Sequence, residues 1–297
     1  MLPRVSAGVI TCNEEQTIGP VLQFLSDARS SHWEIVQIVV VSAECRDRTD
    51  AIVQEKAARD PRILLVSEPK RRGKSAAVNT FLDIRSPSEF TLLTSGDVLP
   101  APDFLDKVLR LLDDPTVGMA GGRPMPVNDP STLLGAMARL MWEMHHEISL
   151  DSPKLGETIV FRSAAVSSIP AESPVDEASI EAIILQQHLR LAYAPDAVVH
   201  NRGPANLKEW LSQRRRIAYG HAWLKRHSAH QISTGANSTV ASLLLKHLTR
   251  QPSDIVPGLF LMGCEVWARF LAGFDARSKN QHQIWDIATS TKAGFSK

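Results

Sequence analysis

The first hundred residues alternate between short apolar runs and segments with helical spacing of apolar residues, and this alternation restricts the fold more than any other feature. Residues 35–41 are rich in β-branched side chains, which is typical of a strand buried on both faces of a parallel sheet. Ile18, Val21, Leu22 and Leu25 fall on one helical face. Strands are predicted in this way at residues 5–12, 35–41, 62–66 and 90–94, and helices at 17–28, 49–59 and 75–82.

This order predicts an α/β fold, in which a mostly parallel, Rossmann-like central sheet is flanked by helices. After residue 100, the patterns predict helices at 104–112, 133–148, 176–189 and 207–226, and strands at 117–122, 156–162 and 191–198. We assign residues 1–230 to this domain and residues 231–297 to a helical C-terminal tail.

Composition excludes some classes of partner. The 33 Lys and Arg residues almost balance the 32 Asp and Glu residues, whereas a nucleic-acid-binding protein usually carries a basic excess. Cys12, Cys45 and Cys264 have no metal-binding spacing, so we expect reduced thiols in a cytoplasmic protein. The first residues lead directly into a strand, and we expect no signal peptide there.

Ser95, Gly96 and Asp97 follow the fourth predicted strand, at the sheet edge where α/β folds bind ligands. The Asp97 carboxylate can hold Mg²⁺ or Mn²⁺, which would neutralise a departing diphosphate. The alternative is that Asp97 only caps the turn before Pro100. His200 follows a later strand and is a tentative second metal ligand, although such a residue is more often an ordinary polar side chain at a strand end.

Two basic segments could bind phosphate. Gly73 and Lys74 open the third helix, where backbone amides and a cation can meet an anion. The segment is no P-loop, because Glu68 occupies the position of the first glycine. On the long basic helix, Gln213 and Arg216 are three residues apart and share a face. Both segments could instead be solvated charged surface.

Asp176 and Glu177 start a helix after Pro174. Either carboxylate could act as a general base that takes the proton of an attacking hydroxyl. The alternative is that both carboxylates only complement the helix dipole.

In this order the motifs resemble those of the family 2 glycosyltransferases, which have the GT-A fold, over residues 5–221. The matching segments are residues 9–15, 47–49, 73–79, 95–97, 121–122, 161–162, 176–177, 213–216 and 219–220. The resemblance implies a metal at Asp97, a base at Asp176 or Glu177, and inversion at the transferred sugar. It implies a donor-binding set of Cys12, Glu14, Lys74, Ser95, Gly96, Gln213, Arg214 and Arg216.

The chain departs from the family pattern at four places. Ser95 replaces the first carboxylate of the usual Asp-x-Asp metal motif, so the metal would rely on Asp97 and water. Ser42 and Ala43 stand where paired aspartates often help to read uracil. Asp176 and Glu177 invert the usual Glu-Asp order. Ile217 replaces a tryptophan that is common in processive polysaccharide synthases.

Residues 255–274 of the tail are largely apolar, and Glu265 and Arg269 interrupt them four residues apart, as an exposed ion pair would. An amphipathic helix at the inner membrane surface fits this pattern better than a membrane-crossing one. A helix packed on the catalytic domain or on a second copy of the chain fits as well, and both interpretations stay open.

The sequence therefore predicts a glycosyltransferase that moves a sugar from a nucleotide-diphosphate donor to a hydroxyl acceptor, with a lipid-linked acceptor or a polysaccharide precursor as candidates. Two other functions stay open. A sugar nucleotidyltransferase shares the sheet, but it normally has a glycine-rich loop after the first strand, where residues 11–14 contain no glycine. A non-catalytic protein that binds sugar nucleotides would also suit the reduced metal motif.

Overall fold

The structure is a computed structural model. It describes residues 1–228, 242–245, 247, 249, 251–277 and 288–295. Part of the predicted tail, including residues 229–241 and 278–287, lies outside the described residues.

A central sheet of eight strands organises the molecule, in the order β3-β2-β1-β4-β7-β6-β8-β5. β1, β2, β3 and β4 are mutually parallel, whereas β7 runs antiparallel to both β4 and β6. The strands are β1 Arg4–Thr11, β2 Glu34–Ala43, β3 Ile63–Glu68, β4 Phe90–Ser95, β5 Leu99–Pro100, β6 Val117–Pro126, β7 Ile159–Arg162 and β8 Arg190–Asn201.

Helices cover both faces of the sheet, because the inner strands bury alternate side chains on opposite sides. On β2, Ile38 and Val40 join the core that includes Leu22 of the first helix, whereas Val39 and Val41 join the core on the other face. The helices are α1 Ile18–Asp27, α2 Thr49–Ala57, α3 Lys74–Ile84, α4 Phe104–Leu111, α5 Leu133–Asp151, α6 Asp176–Gln186, α7 Leu207–Ser228 and α8 Ile255–Arg277.

The predicted α/β architecture is confirmed, and the differences are local. β7 begins at Ile159, later than predicted, because Glu157 adopts a positive φ of 65° that no strand contains. α6 ends at Gln186, because His188 has a φ of 60°. β5 is too short to show any periodicity in the sequence, and it pairs with β8.

α8 packs on α5 and α7. Leu261, Cys264, Ala268 and Ala272 form its buried stripe. Ion pairs join Arg215 of α7 to Asp275 and Arg139 of α5 to Asp254, which lies just before α8. These contacts integrate the described part of the tail with the sheet domain.

One side of α8 contacts no other described element. Val256, Leu259, Phe260, Val266, Trp267, Phe270 and Phe274 are each about half exposed or more. Glu265 differs from the prediction of an exposed pair, because its carboxylate is mostly buried and bonds to Arg214 as well as to Arg269. Among the described residues, one helix, spanning Pro252–Ala276, is long and apolar enough to cross a membrane.

Candidate active site

A cavity of about 1160 Å³ opens beyond the carboxyl ends of β1 and β4 and extends toward α7 and α8. Most of the residues predicted from sequence to form the site line this single cavity. They are Cys12, Glu14, Lys74, Ser95, Asp97, Asp176, Glu177, Gln213, Arg214 and Arg216.

Asp97 and Glu14 form one end of the cavity. Glu14 is almost completely buried, and its Oε2 accepts a hydrogen bond of 2.8 Å from Thr11 Oγ1. Gly96 lies directly against this carboxylate, since a Cβ at residue 96 would stand 2.0 Å from Glu14 Oε2. Close packing against Glu14 and Thr11 therefore favours a glycine between Ser95 and Asp97.

Glu157 adds a third carboxylate at this end. Burial and, second, the negative charge of Asp97 raise the pKa of Glu14 to about 7, against the opposing charge of Lys292. The pKa of Glu157 also lies at about 7 for the same two reasons, burial first and the Asp97 charge second. Lys292, from the end of the chain, is 2.5 Å from Glu14 Oε1 and 4.0 Å from Asp97 Oδ2.

These residues fit a hard divalent cation. Asp97 is partly exposed to the cavity, and carboxylate oxygens are the ligands that Mg²⁺ and Mn²⁺ prefer. Among the residues that the structure describes, Asp97 belongs to no group of three close ligand atoms, so the donor phosphates and water would complete the shell. Within the described part of the chain, such a group exists at Glu143, His247 and Asp254, but there the guanidinium of Arg139 already pairs with both carboxylates.

Lys74 joins the two carboxylates at the start of α6. Its Nζ is 3.0 Å from Asp176 Oδ2 and 2.7 Å from Glu177 Oε1. Gly73, with a φ of 99°, lets the chain turn sharply into α3, so that Lys74 is the first helical residue. The hydroxyl of Ser75 donates a 2.7 Å hydrogen bond to the Ser173 carbonyl and ties α3 to the loop before α6.

The two carboxylates differ in their affinity for protons. Burial raises the pKa of Asp176 to about 7, and the neighbouring Glu177 charge adds to this effect. Burial also opposes ionisation of Glu177, but the charge of Lys74 and a hydrogen bond from Asp176 outweigh it, and the pKa of Glu177 falls to about 2. Of the two carboxylates, Asp176 is therefore the one with a pKa near neutral pH.

The three arginines of α7 have different surroundings. Arg214 lines the cavity, but its guanidinium bonds to Glu265 of α8. Arg215 does not line the cavity and pairs with the buried Asp275. Arg216 lines the cavity and forms no ion pair with any residue that the structure describes. Gln213 lines the same cavity. Arg216 is thus the arginine best placed for a phosphate.

Two more charged side chains, Glu157 and Lys154, line the cavity. Glu157 accepts a 3.0 Å hydrogen bond from the side chain of Asn201. Burial lowers the pKa of Lys154 to about 8, and the charge of Glu181 is the largest effect that opposes this shift. Charged groups from the Asp97 end, from the start of α6 and from α7 therefore line one cavity.

His200 is the predicted ligand that the structure does not bring to this site. It lies on β8, paired with Leu99 and Met125, and it does not line the cavity. Its neighbour Asn201 does line the cavity, and successive side chains of a strand point to opposite faces. We therefore leave His200 out of the metal site.

Several residues of the site were not found from the sequence. Glu157, Lys154 and Lys292 belong to no recognisable motif, and only the fold brings them to the cavity. Cys12 and Cys45 are also neighbours: a hydrogen bond between the two thiols, followed by burial, raises the pKa of Cys12, and the same hydrogen bond lowers the pKa of Cys45 to about 6 against the effect of burial. Both thiols are free, as predicted.

A family model described as glycosyl transferase family 2 matches residues 6–169. The chain belongs to glycosyl transferase family 2. The resemblance inferred from the motifs is confirmed, and membership favours sugar transfer over the two other functions that the sequence left open. A curated N-acetylglucosaminyltransferase from Rhizobium meliloti (strain 1021) is 26% identical over 239 residues. That alignment covers 73% of this chain but 55% of the relative, so the chain spans about half of that protein.

Solved structures confirm the GT-A fold. A mannosyltransferase from Pyrobaculum calidifontis, solved with GDP-Man and Mn²⁺, superposes with a TM-score of 0.66 at 22% identity, over 94% of this chain and 88% of that chain. A glucosyl-3-phosphoglycerate synthase from Mycobacterium tuberculosis, solved with Mg²⁺ and UDP, gives a TM-score of 0.53 at 17% identity, over 75% of this chain and 79% of that chain. At these identities the likeness concerns the fold alone.

Proposed function

We propose that this family 2 member transfers a hexose from a nucleoside-diphosphate donor to a hydroxyl acceptor, with inversion at the anomeric carbon. The observation that carries the proposal is that Asp97, Asp176 and Arg216 line one cavity. Each group suits one requirement of the reaction: a cation for the diphosphate, a base for the acceptor and an arginine for the leaving group.

Asp176 performs the proton transfer in this mechanism. The acceptor oxygen attacks the anomeric carbon while its proton passes to Asp176, whose pKa of about 7 suits a base at neutral pH. The bond between the anomeric carbon and the phosphate oxygen breaks, and its electron pair leaves with the nucleoside diphosphate. One direct displacement of this kind inverts the anomeric configuration.

Lys74 and Glu177 position the base. Lys74 bridges both carboxylates and keeps Glu177 ionised, so the proton affinity of the cluster is concentrated on Asp176. Arg216 and Gln213 bind the diphosphate from α7, since a guanidinium forms strong charge-assisted hydrogen bonds with phosphate.

Asp97 would hold Mg²⁺ or Mn²⁺, which supplies positive charge to the departing diphosphate. The relatives support this assignment: the mannosyltransferase was solved with GDP-Man and Mn²⁺, and the synthase with UDP and Mg²⁺. Their donors carry different bases, so the base used by this chain is a matter for experiment.

Apolar side chains of α5 and α8 line part of the cavity, and we include a lipid-linked acceptor in the proposal. Met141, Trp142 and Ile148 of α5 line this part of the cavity together with Leu261, Met262 and Val266 of α8. Met262 and Val266 are also exposed, so the apolar cavity wall continues onto the exposed side of α8 that carries Phe260, Trp267 and Phe270. This continuity favours a membrane surface as the occupant of that face, because a lipid carrier could then enter the cavity directly.

The first test is a thermal-shift screen of uridine, guanosine, adenosine and cytidine diphosphates, each with Mn²⁺, Mg²⁺ or EDTA. A ligand at a hundred times its Kd stabilises the folded state by about 2.7 kcal/mol. We expect one diphosphate to stabilise the protein selectively in the presence of the metal. Absence of stabilisation by all four diphosphates with either metal would contradict the proposed function.

The membrane contact has a separate test in vesicle co-sedimentation. A Phe260→Ser, Trp267→Ser, Phe270→Ser variant should bind anionic vesicles at least about tenfold more weakly than the wild type, because burial of a large apolar side chain contributes about 1.5–3 kcal/mol. Leu133→Ser on α5, which removes an exposed leucine of another helix, should bind like the wild type. A wild-type protein that ignores vesicles and forms dimers would instead assign the α8 face to a second copy of the chain.

A further inference from the structure

A segment from the end of the chain forms part of the wall of the cavity at the Asp97 end. Ala288, Thr291 and Lys292 line the cavity, and residues 289–292 form a short 3-10 turn. The family match ends at residue 169, and the last motif of the resemblance lies at residues 219–220, so neither reaches this segment.

Hydrogen bonds anchor the segment along its length. Glu209 of α7 accepts bonds from Thr289 Oγ1 at 3.1 Å and from the Ser290 backbone at 3.2 Å. The Gly294 carbonyl accepts a 2.8 Å bond from Arg202, and the Gly294 amide donates to Gln16 at 3.3 Å. Hydrogen bonds therefore hold the turn that carries Lys292 on both sides: its first residues bond to α7, and Gly294, which follows the turn, bonds to the loop after β1.

Lys292 lies between two carboxylates. Its Nζ is 2.5 Å from Glu14 Oε1 and 4.0 Å from Asp97 Oδ2, and only 17% of the side chain is exposed. This ammonium reaches the point where the diphosphate must lie if Asp97 takes part in binding it.

At the Asp97 end of the cavity, a cation is needed to offset the negative charge of the carboxylates. The carboxyl groups of Glu14, Asp97 and Glu157 all line the cavity, and carboxylates repel a diphosphate. The ammonium of Lys74 lies elsewhere in the cavity, against Asp176 and Glu177. Lys292 is the lysine that the structure places in contact with the Glu14 and Asp97 carboxylates.

We propose that Lys292 is a donor-binding residue, and that residues 288–295 complete the donor site by bringing its ammonium to the diphosphate beside Asp97. The proposal rests on the function proposed above, since it needs a nucleoside-diphosphate donor at Asp97. It assigns to the end of the chain a role in substrate binding that neither the family match nor the sequence motifs indicate.

The test is isothermal titration calorimetry of uridine and guanosine diphosphates, with Mn²⁺ and separately with EDTA. The variants are Lys292→Met, Lys292→Arg and Glu209→Ala, and Lys225→Met removes an exposed lysine that does not line the cavity. For the diphosphate that the wild type binds, Lys292→Met should raise the Kd about tenfold to hundredfold, as expected for the loss of a charge-assisted hydrogen bond. Where the wild type still binds the diphosphate measurably in EDTA, Lys292→Met should raise the Kd there as well.

The other variants make the result specific. Lys292→Arg should restore most of the affinity, because it keeps the charge. Glu209→Ala should weaken binding in the same direction, because it releases the anchor of the segment and leaves the charges at Asp97 unchanged. Lys225→Met should bind like the wild type. Circular dichroism melting of each variant separates loss of binding from loss of folding.

Two results would contradict this inference without contradicting the proposed function. A Lys292→Met protein that is folded and binds the diphosphate with wild-type affinity would remove the role of the ammonium. A Lys292→Met protein that binds more tightly would show that the segment blocks the site instead of completing it. A wild type that binds neither diphosphate, nor any other in the thermal screen, would contradict the proposed function itself.

Discussion

The assignment of Asp176 as the base predicts a specific dependence of the rate on pH. Burial and the Glu177 charge raise the pKa of Asp176 to about 7, far above the ordinary value of an aspartate. Below pH 7 the carboxyl group carries a proton and cannot accept one from the acceptor, so kcat should fall as the pH falls. With a pKa of about 7, the ionised fraction rises about tenfold between pH 6 and pH 8.

Three variants make this prediction specific. Asp176→Asn should lower kcat about a hundredfold to ten-thousandfold, the usual contribution of a general base. Glu177→Gln removes a charge that raises the pKa of Asp176, so the acid limb of the profile should move to lower pH. Lys74→Met removes a charge that lowers this pKa, so the limb should move to higher pH.

The assay is release of the nucleoside diphosphate from saturating nucleotide sugar, at constant ionic strength, between pH 5.5 and pH 8.5. Calorimetry at the same pH values shows whether donor binding contributes to the profile. A kcat that is constant between pH 6 and pH 8, or an Asp176→Asn variant with wild-type kcat, would refute the assignment. A limb that moves in the same direction in Glu177→Gln and Lys74→Met would refute the electrostatic explanation.

Three further predictions follow from the cavity. Asp97→Asn should lower kcat/KM at least about a hundredfold and abolish stimulation by Mn²⁺, with an unchanged Tm because Asp97 is partly exposed; full activity in metal-replete and chelated enzyme would contradict its role. Arg216→Ala should raise the donor KM about tenfold or more without loss of stability. Arg215→Ala should leave the donor KM unchanged and lower the free energy of unfolding by about 1–3 kcal/mol in urea titrations, because it removes the ion pair between Arg215 and the buried Asp275. Gly96→Ala should displace Glu14, lower the free energy of unfolding by about 1–3 kcal/mol and weaken donor binding. The control Gly263→Ala, where an added Cβ meets nothing, should be neutral or slightly stabilising. Equal unfolding midpoints for the two variants would contradict the close packing of Gly96.

The order of strands and helices could be predicted because it depends on local patterns. Strand β2 and helix α1 were found within one or two residues of their ends, since burial on both faces and an apolar helical stripe leave clear periodicities. β5 is a two-residue strand with no period, and the antiparallel direction of β7 depends on how the chain returns to the sheet. Neither feature has a local signal.

The residues of the site also fall into those with a local sequence signal and those without one. Asp97, Asp176 and Arg216 could be predicted because they follow strand ends or open helices at positions where ligands bind. Lys292 could not, because its place beside Glu14 depends on a contact between residues that are far apart in the sequence. His200 was misplaced because the sequence shows that a residue ends a strand but not which face of the strand it occupies.

The central claim is that Asp97 and the donor diphosphate share one divalent cation in this cavity. The most direct measurement is an anomalous difference map from crystals grown with Mn²⁺ and the selected nucleoside diphosphate. The account predicts a manganese peak within coordination distance of the Asp97 carboxylate and of oxygens from both phosphates. A diphosphate bound away from Asp97, or manganese found only at Glu143, His247 and Asp254, would contradict it.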